Sequence, residues 1–430
     1  MVLIPDSTMK MRNLLLSALV GLSSLAATAA AATPDLFALR VGKAETVSGE
    51  TIEHAVILIE NGRIVTIGQD LEIERGIPVI DRPDWVATPG FVNPYSRVGM
   101  DSRGGSGTKP SVQASTELYP SQGIYAAALE TGVVAMGLYP PGNGIPGQAV
   151  VVSTAGTTRE DMVLREGAYL KVLMQSNNKS KKAIRDGFEK ADEHLAEVEE
   201  AREKHEEAVE KFEKDEKAWK KLDDDEKAKK KEPVDPGDFQ EPEPDAVAGP
   251  FLDLRSGDLS AMFSIRKAGD YLHLLDALGD EELPSWSLRV PLRNDIDLYE
   301  IADHLEGRHV VVEPRLTLMP WTMRERNLPA ELDRAGAHVA FIPNSDSLSG
   351  HEAWRLNVGH LVKRGMEHHA ALRAMTLGPA EVLGITDELG SLDVGKRATM
   401  LFFDGDPFQP STNLEAVMVD GDFLDDGAAR

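Results

Sequence analysis

The sequence predicts an α/β protein with three parts: a (β/α)8 TIM-type barrel, a small composite β-sandwich built from both chain ends, and a long helical insert within the barrel. Three observations carry this. Eight apolar β runs alternate with helical stretches across 86–385. Short strands with tight turns occur at both ends of the chain. A charged segment after 177 keeps a helical spacing of apolar residues over some forty positions.

Residues 33–86 form the first part of the sandwich. In AVILIENGRIVTIG, Asn61 and Gly62 stand between two apolar runs, a strong hairpin signal. Fewer than fifty residues of short strands bury too little to fold alone. A matching set lies in 385–430, GSLDVGKRATMLFFDGDP followed by LEAVMVDGDFL, and the economical solution is that both ends share one core.

Residues 87–384 supply the barrel, with strands expected at or near 85–92, 133–138, 149–153, 169–174, 260–265, 288–292, 309–313 and 338–342. Several are rich in Val, Ile and Leu along their whole length, as strands covered on both faces must be. In such a barrel the chemistry sits beyond the C-terminal strand ends. A doubly wound open sheet is the alternative, and the missing glycine-rich nucleotide fingerprint counts against it.

The insert occupies 177–250. Ile184, Phe188, Ala191, Leu195, Val198, Val209, Phe212 and Trp219, with Arg202 and His205 on the same stripe, predict a coiled-coil-like helix over 181–222. It is either an arm packed on its own barrel or a surface for self-association or for pairing with an active relative. The charged, proline-rich remainder reads as a linker.

The formal charge of −25 argues against nucleic acid and anionic membranes as partners, because neutralising phosphates needs clustered Lys and Arg. Lys10 and Arg12, an apolar run over 14–25 and small residues to Ala32 read as a signal peptide over 1–32. With no cysteine to carry a disulfide or a lipid, the expected location is periplasmic or secreted, with no membrane attachment in the mature form.

The run TPGFVNPYSRVG, the stretch ALRAMTLGPAEVLGITDELGSLDVGKRATMLFFDGDPF and the closing VMVDGDF resemble the metal-dependent amidohydrolase superfamily, in particular its imidazolonepropionase-like secreted branch. The resemblance implies the same barrel and sandwich, and hydrolysis of non-peptide carbon–nitrogen bonds by metal-activated water. Two histidines one residue apart on a strand point the same way and can share one Zn2+. Here the positions that the resemblance assigns to ligands are filled otherwise: Tyr95 and Arg97 on the first strand, Ser176 after the fourth, Ser264 and Arg266 at the fifth, and Arg293 or Asn294 near the sixth. Arg97 is a permanent cation where a dication would bind. Asp346 in AFIPNSDS is the surviving acid, the candidate catalytic residue.

No metal ligand set, and hence no cofactor, is expected from these residues; Zn2+ enters only if unconventional ligands operate. Of the eleven histidines, His309 and His338 begin strands, at the end of the barrel away from the site, and His351 and His360 are nine apart rather than the four of a zinc-binding helix. Tyr95, Arg97, Ser264 and Arg266 are the candidate binding residues. One reading is a pocket for a small anionic ligand held by guanidinium forks; the other is a site filled by ion pairs between these arginines and Asp346, Asp270 or Glu313. As to activity, a binding or partner subunit stands against an active amidohydrolase acting on small cyclic amides or dipeptides, or a metal-free hydrolase using Asp346 with Tyr95.

Overall fold

The computed structural model describes residues 34–424 apart from 101–104, 228–229 and 293–297. The expected signal peptide, Arg293 and Asn294 lie outside the described residues.

Eight strands occupy the barrel positions: β1 Phe91–Ser96, β2 Val133–Leu138, β3 Val150–Ser153, β4 Tyr169–Leu173, β5 Ser260–Ser264, β6 Trp286–Arg289, β7 His309–Val312 and β8 His338–Phe341. The strands β4 to β8 pair in sequence order, all parallel. The pairing of β1 with β2 is also parallel. In β2 and in β7 after its first residue, every position is buried, as for strands covered on both faces.

Two departures from an ideal barrel have physical causes. The strand β3 runs antiparallel to β2. Only residues 139–149 join the two, with Pro140, Pro141 and three glycines, whereas a parallel crossover needs about a dozen or more residues and usually a helix. The chain then bends at 147–149: Gly147 and Gln148 pair antiparallel with β4, linking the two barrel sheets. Between β8 and β1 no strand ladder runs among the described residues. Instead Phe341 N–H donates to Ala374 O (2.6 Å) and Val92 N–H to Met375 O (2.9 Å), so the segment at 374–375 lies between them.

The run expected as one strand over 85–92 is divided at Gly90. Val79–Pro89 belongs to the terminal sheet, and β1 starts at Phe91. A Cβ on Gly90 would fall 2.4 Å from Val134 Cγ2, so only glycine lets the chain cross between the sheets this close to β2.

Both chain ends share one sheet of eight strands. Its order is Asp422–Phe423, Leu414–Val419, Met400–Phe403, Val79–Pro89, Leu36–Ala44, Ala55–Glu60, Arg63–Gln69, with Ile52–Glu53 paired to Leu36–Ala44. The sheet is continuous and rolled: Ile64 N–H donates to Lys396 O (2.9 Å) and Ala398 N–H to Gly62 O (2.7 Å), joining the far hairpin to the segment before Met400. Asn61 and Gly62 both take positive φ, +50° and +74°, as the Asn-Gly signal requires. Phe37, Leu39, Ile57, Ile59, Met400, Phe402 and Met418 fill its core, separate from that of the barrel.

The insert is a single 42-residue helix, Asn178–Trp219, about 63 Å long at 1.5 Å per residue. Asn177 caps it by accepting from Ser180 N–H (2.9 Å). Its first six turns bury Ile184, Gly187, Phe188, Ala191, His194 and Val198, and pack on helices Ala248–Ser256 and Ala268–Leu278. Phe188 meets Phe251 edge to face at 4.9 Å, and a Cβ on Gly187 would fall 2.0 Å from that ring. Arg255 clamps the seam through Asp192 (2.7 Å) and Glu281 (2.6 Å). Beyond Val198 the stripe continues half-buried through His205, Val209, Phe212 and Trp219, with Phe239 of the returning segment resting on His205. Among the described residues no helix is long and apolar enough to cross a membrane.

Candidate functional site

Alternation along the strands directs one residue in two toward the barrel axis, and at the C-terminal ends these side chains meet. Tyr95, on β1, is the centre of the group. Its hydroxyl is 3.2 Å from Ser264 Oγ at the end of β5. Its ring stacks on Tyr139, just after β2, with centroids 3.9 Å apart. From β6, the Arg289 guanidinium lies 5.6 Å from the Tyr95 centroid, and from β4 the Lys171 ammonium lies 3.9 Å over Tyr139. Both cations use the negative ring faces.

Arg289 in turn pairs with Glu313 at the end of β7 (2.6 Å), whose other oxygen accepts from Leu292 N–H (2.9 Å). The carboxylate is thus satisfied on both sides. Asp346, after β8, is likewise engaged: one oxygen accepts from Ser96 Oγ (2.6 Å), the other from Arg97 N–H (2.5 Å). It ties the loop after β8 to the end of β1.

Burial sets the protonation states. It raises the Tyr95 phenol above its ordinary value, outweighing the Ser264 hydrogen bond and the Arg289 charge, and it raises Tyr139 further still. Neither is a phenolate at neutral pH. Lys171, only 6% exposed, is pushed down to about 7 by burial and then by the Arg97 charge.

Of the residues singled out in the sequence, Tyr95 and Ser264 are brought into contact, and Arg97 and Asp346 meet through the Arg97 backbone. Arg266 lies apart. Its side chain is exposed, and its N–H donates to Asp270 (3.0 Å). Ser176 donates to the same buried Asp270 through N–H (2.8 Å) and Oγ (2.5 Å), so this acid fastens two loops through backbone and hydroxyl donors, not through a guanidinium fork. Lys171, Tyr139 and Arg289 escaped the sequence reading, whereas Glu313 was expected as an ion-pair partner and pairs with Arg289 instead of the arginines singled out. A signal existed for two of them: Lys171 in YLKVL and Arg289 in WSLRV are lone cations inside apolar strands, which a barrel-interior position explains.

These residues do not fit a metal ion. Its donors must be lone pairs that are cheaply deprotonated, and the positions in question hold the Tyr95 phenol, the Ser176 and Ser264 hydroxyls and the Arg97 and Arg266 cations, while Asp346 and Glu313 are engaged with donors of the chain. Among the described residues no group of three or more His, Asp or Glu side chains is placed to hold one. His351 reaches toward β1 but has both nitrogens engaged, Nε2 with Asn93 Nδ2 (3.2 Å) and Nδ1 with Ser347 O (2.8 Å), and burial lowers its pKa. His309 and His338 pack together at the start of their strands, rings 5.1 Å apart, and burial pushes His309 down to about 4.

A cavity of about 280 Å3 opens above Leu173, two residues past Lys171. Thr108, Asn143, Gln175, Asn177, Lys179 and Ser180 line it, at the N-terminus of the long helix.

Residues 327–424 match the model of the amidohydrolase family. No curated protein sequence matches the chain significantly. Among solved structures, an amidohydrolase from Thermotoga maritima MSB8 is similar over 90% of this chain and 99% of its own, with a TM-score of 0.68 and 18% identity, a likeness of fold. A Xaa-Pro dipeptidase with methionine bound in its active site is 12% identical, covering 91% of this chain and 100% of its own, with a TM-score of 0.49. An adenosine deaminase from Xanthomonas campestris with bound zinc is 14% identical, covering 93% and 97%, with a TM-score of 0.46. The match to the amidohydrolase family thus covers 327–424, and the chain as a whole has the fold of the Thermotoga amidohydrolase.

Proposed function

We propose that this chain is a non-hydrolytic member of the superfamily that acts as a binding or partner subunit after export through its 1–32 leader. One observation carries the reading: the side chains at the barrel mouth hold one another. Tyr95 bonds Ser264 and stacks on Tyr139, Arg289 holds Glu313, and Asp346 spends both oxygens on Ser96 and Arg97. An interlocked set of this kind stabilises the barrel end and commits both carboxylates, Asp346 and Glu313, to partners within the chain. In particular, Asp346 and Tyr95 bond to different partners, which disfavours a metal-free hydrolase built on that pair.

The 280 Å3 cavity is the best-supported place for a small anionic ligand. It lies past the strand C-termini, where barrel ligands bind, and combines Lys179 with the positive end of a 42-residue helix. The half-buried outer stripe of that helix supports pairing with a second subunit.

The test is metal analysis of the purified mature chain, with turnover measured on cyclic amides and dipeptides. We expect substoichiometric metal and no turnover. Stoichiometric Zn2+ whose removal by chelator abolishes hydrolysis would establish the rival reading, an active amidohydrolase with unconventional ligands.

A further inference from the structure

Among the described residues, the two most exposed large apolar side chains, Trp321 at 103% and Met323 at 88%, stand at the tip of one hairpin after β7. Its strands, Thr317–Leu318 and Glu325–Arg326, pair antiparallel. The tip is firmly built: Met319 N–H donates to Arg324 O (2.9 Å), Thr322 N–H to Met319 O (3.0 Å) and Arg324 N–H to Thr322 Oγ1 (3.1 Å). Trp321 itself sits at φ +61°, a conformation usually left to glycine or asparagine. A bulky indole held there in solvent contributes nothing to this chain's own core. Exposed tryptophan on a rigid support is the side chain that most often dominates a protein interface.

The base of the hairpin lies beside a place to receive such a tip. Arg326 stacks on Tyr299 at 4.2 Å and lines a cleft of about 580 Å3 with Tyr299, Ala302, Leu328, Ala335 and Asp303. We propose that the Trp321 tip of one copy seats in this cleft of a second copy, and the reverse, forming a two-fold dimer. Tip and cleft meet at Arg326, so a two-fold axis beside the hairpin lets each copy give and receive at once, the self-complementarity that an isologous interface requires. Charge agrees with a second copy as the occupant. Arg324 is exposed on the hairpin and Asp303 at the cleft, where Glu331 is paired with Arg326 and Arg334 balances Asp303, in a chain of net charge −25 that would be repelled by an anionic membrane. Each indole brings about 150–250 Å2. Two tips with their matching walls approach the roughly 1,000 Å2 of a specific interface.

The absence of cysteine makes the test clean. Mature chains carrying Met323→Cys are mixed with chains carrying Asp303→Cys under mild oxidation, and wild type and Trp321→Ala are compared by light scattering over a concentration series. We expect a tip-to-cleft disulfide between the two chains, a wild-type dimer, and dissociation shifted more than about tenfold by Trp321→Ala, as for a central interface tryptophan. A monomeric wild type, or a dimer indifferent to Trp321→Ala with no cross-link, overturns the proposal. A monomer that floats with anionic phospholipid vesicles does so in favour of a lipid contact.

Discussion

Lys171 gives a quantitative test of the filled barrel. Its folded pKa of about 7 lies well below the ordinary 10.5, because burial disfavours the ammonium. Between these values the unfolded chain holds a proton that the native chain has released, so stability rises with pH through this window by about 1.4 kcal/mol per unit. The penalty is full below pH 7 and gone above 10.5. At pH 7 it amounts to about 4 kcal/mol, and by pH 9 to about 2 kcal/mol. Lys171→Met keeps the length of the side chain and removes the charge, and the cation–π contact of the charged form with Tyr139 is already contained in the folded pKa. Net stabilisation of about 4 kcal/mol at pH 7 is therefore expected, shrinking to about 2 kcal/mol at pH 9. Urea unfolding of both proteins at pH 7, 8 and 9 measures the difference, and other titrating groups cancel in it. Parallel pH profiles would refute the reasoning, because they would mean that Lys171 is solvated or compensated in the native state.

Arg289→Ala should destabilise by about 3–5 kcal/mol by leaving Glu313 buried and unpaired, and a double replacement, Arg289→Met with Glu313→Leu, should recover most of this in the same denaturation assay. Tyr95→Phe removes only the hydrogen bond to Ser264 and should cost about 1 kcal/mol; a loss several times larger would show that the hydroxyl does more than that contact. Gly187→Ala forces a Cβ into the Phe251 ring and should cost about 1–3 kcal/mol, with faster proteolysis within 178–256; unchanged melting and digestion would mean that the arm is not seated as described.

The sequence by itself determined the large features, because they rest on periodicity and turn chemistry. The Asn61–Gly62 hairpin, the 42-residue helix and the placement of β2, β4, β5, β7 and β8 follow from patterns that act over a few residues. The reversal of β3 departs from the expected barrel, because 139–149 is too short for a parallel crossover. What only the tertiary structure decided is which side chains share the barrel axis. Lys171, Arg289 and Glu313 lie up to 142 positions apart in the chain and meet near Tyr95 because parallel pairing stacks the C-terminal ends of β4, β6 and β7 side by side. Arg266 shows the same limit from the other direction. Its position matched a ligand position by likeness of sequence, yet it lies past the end of β5, where strand alternation no longer directs the side chain and Arg266 is exposed.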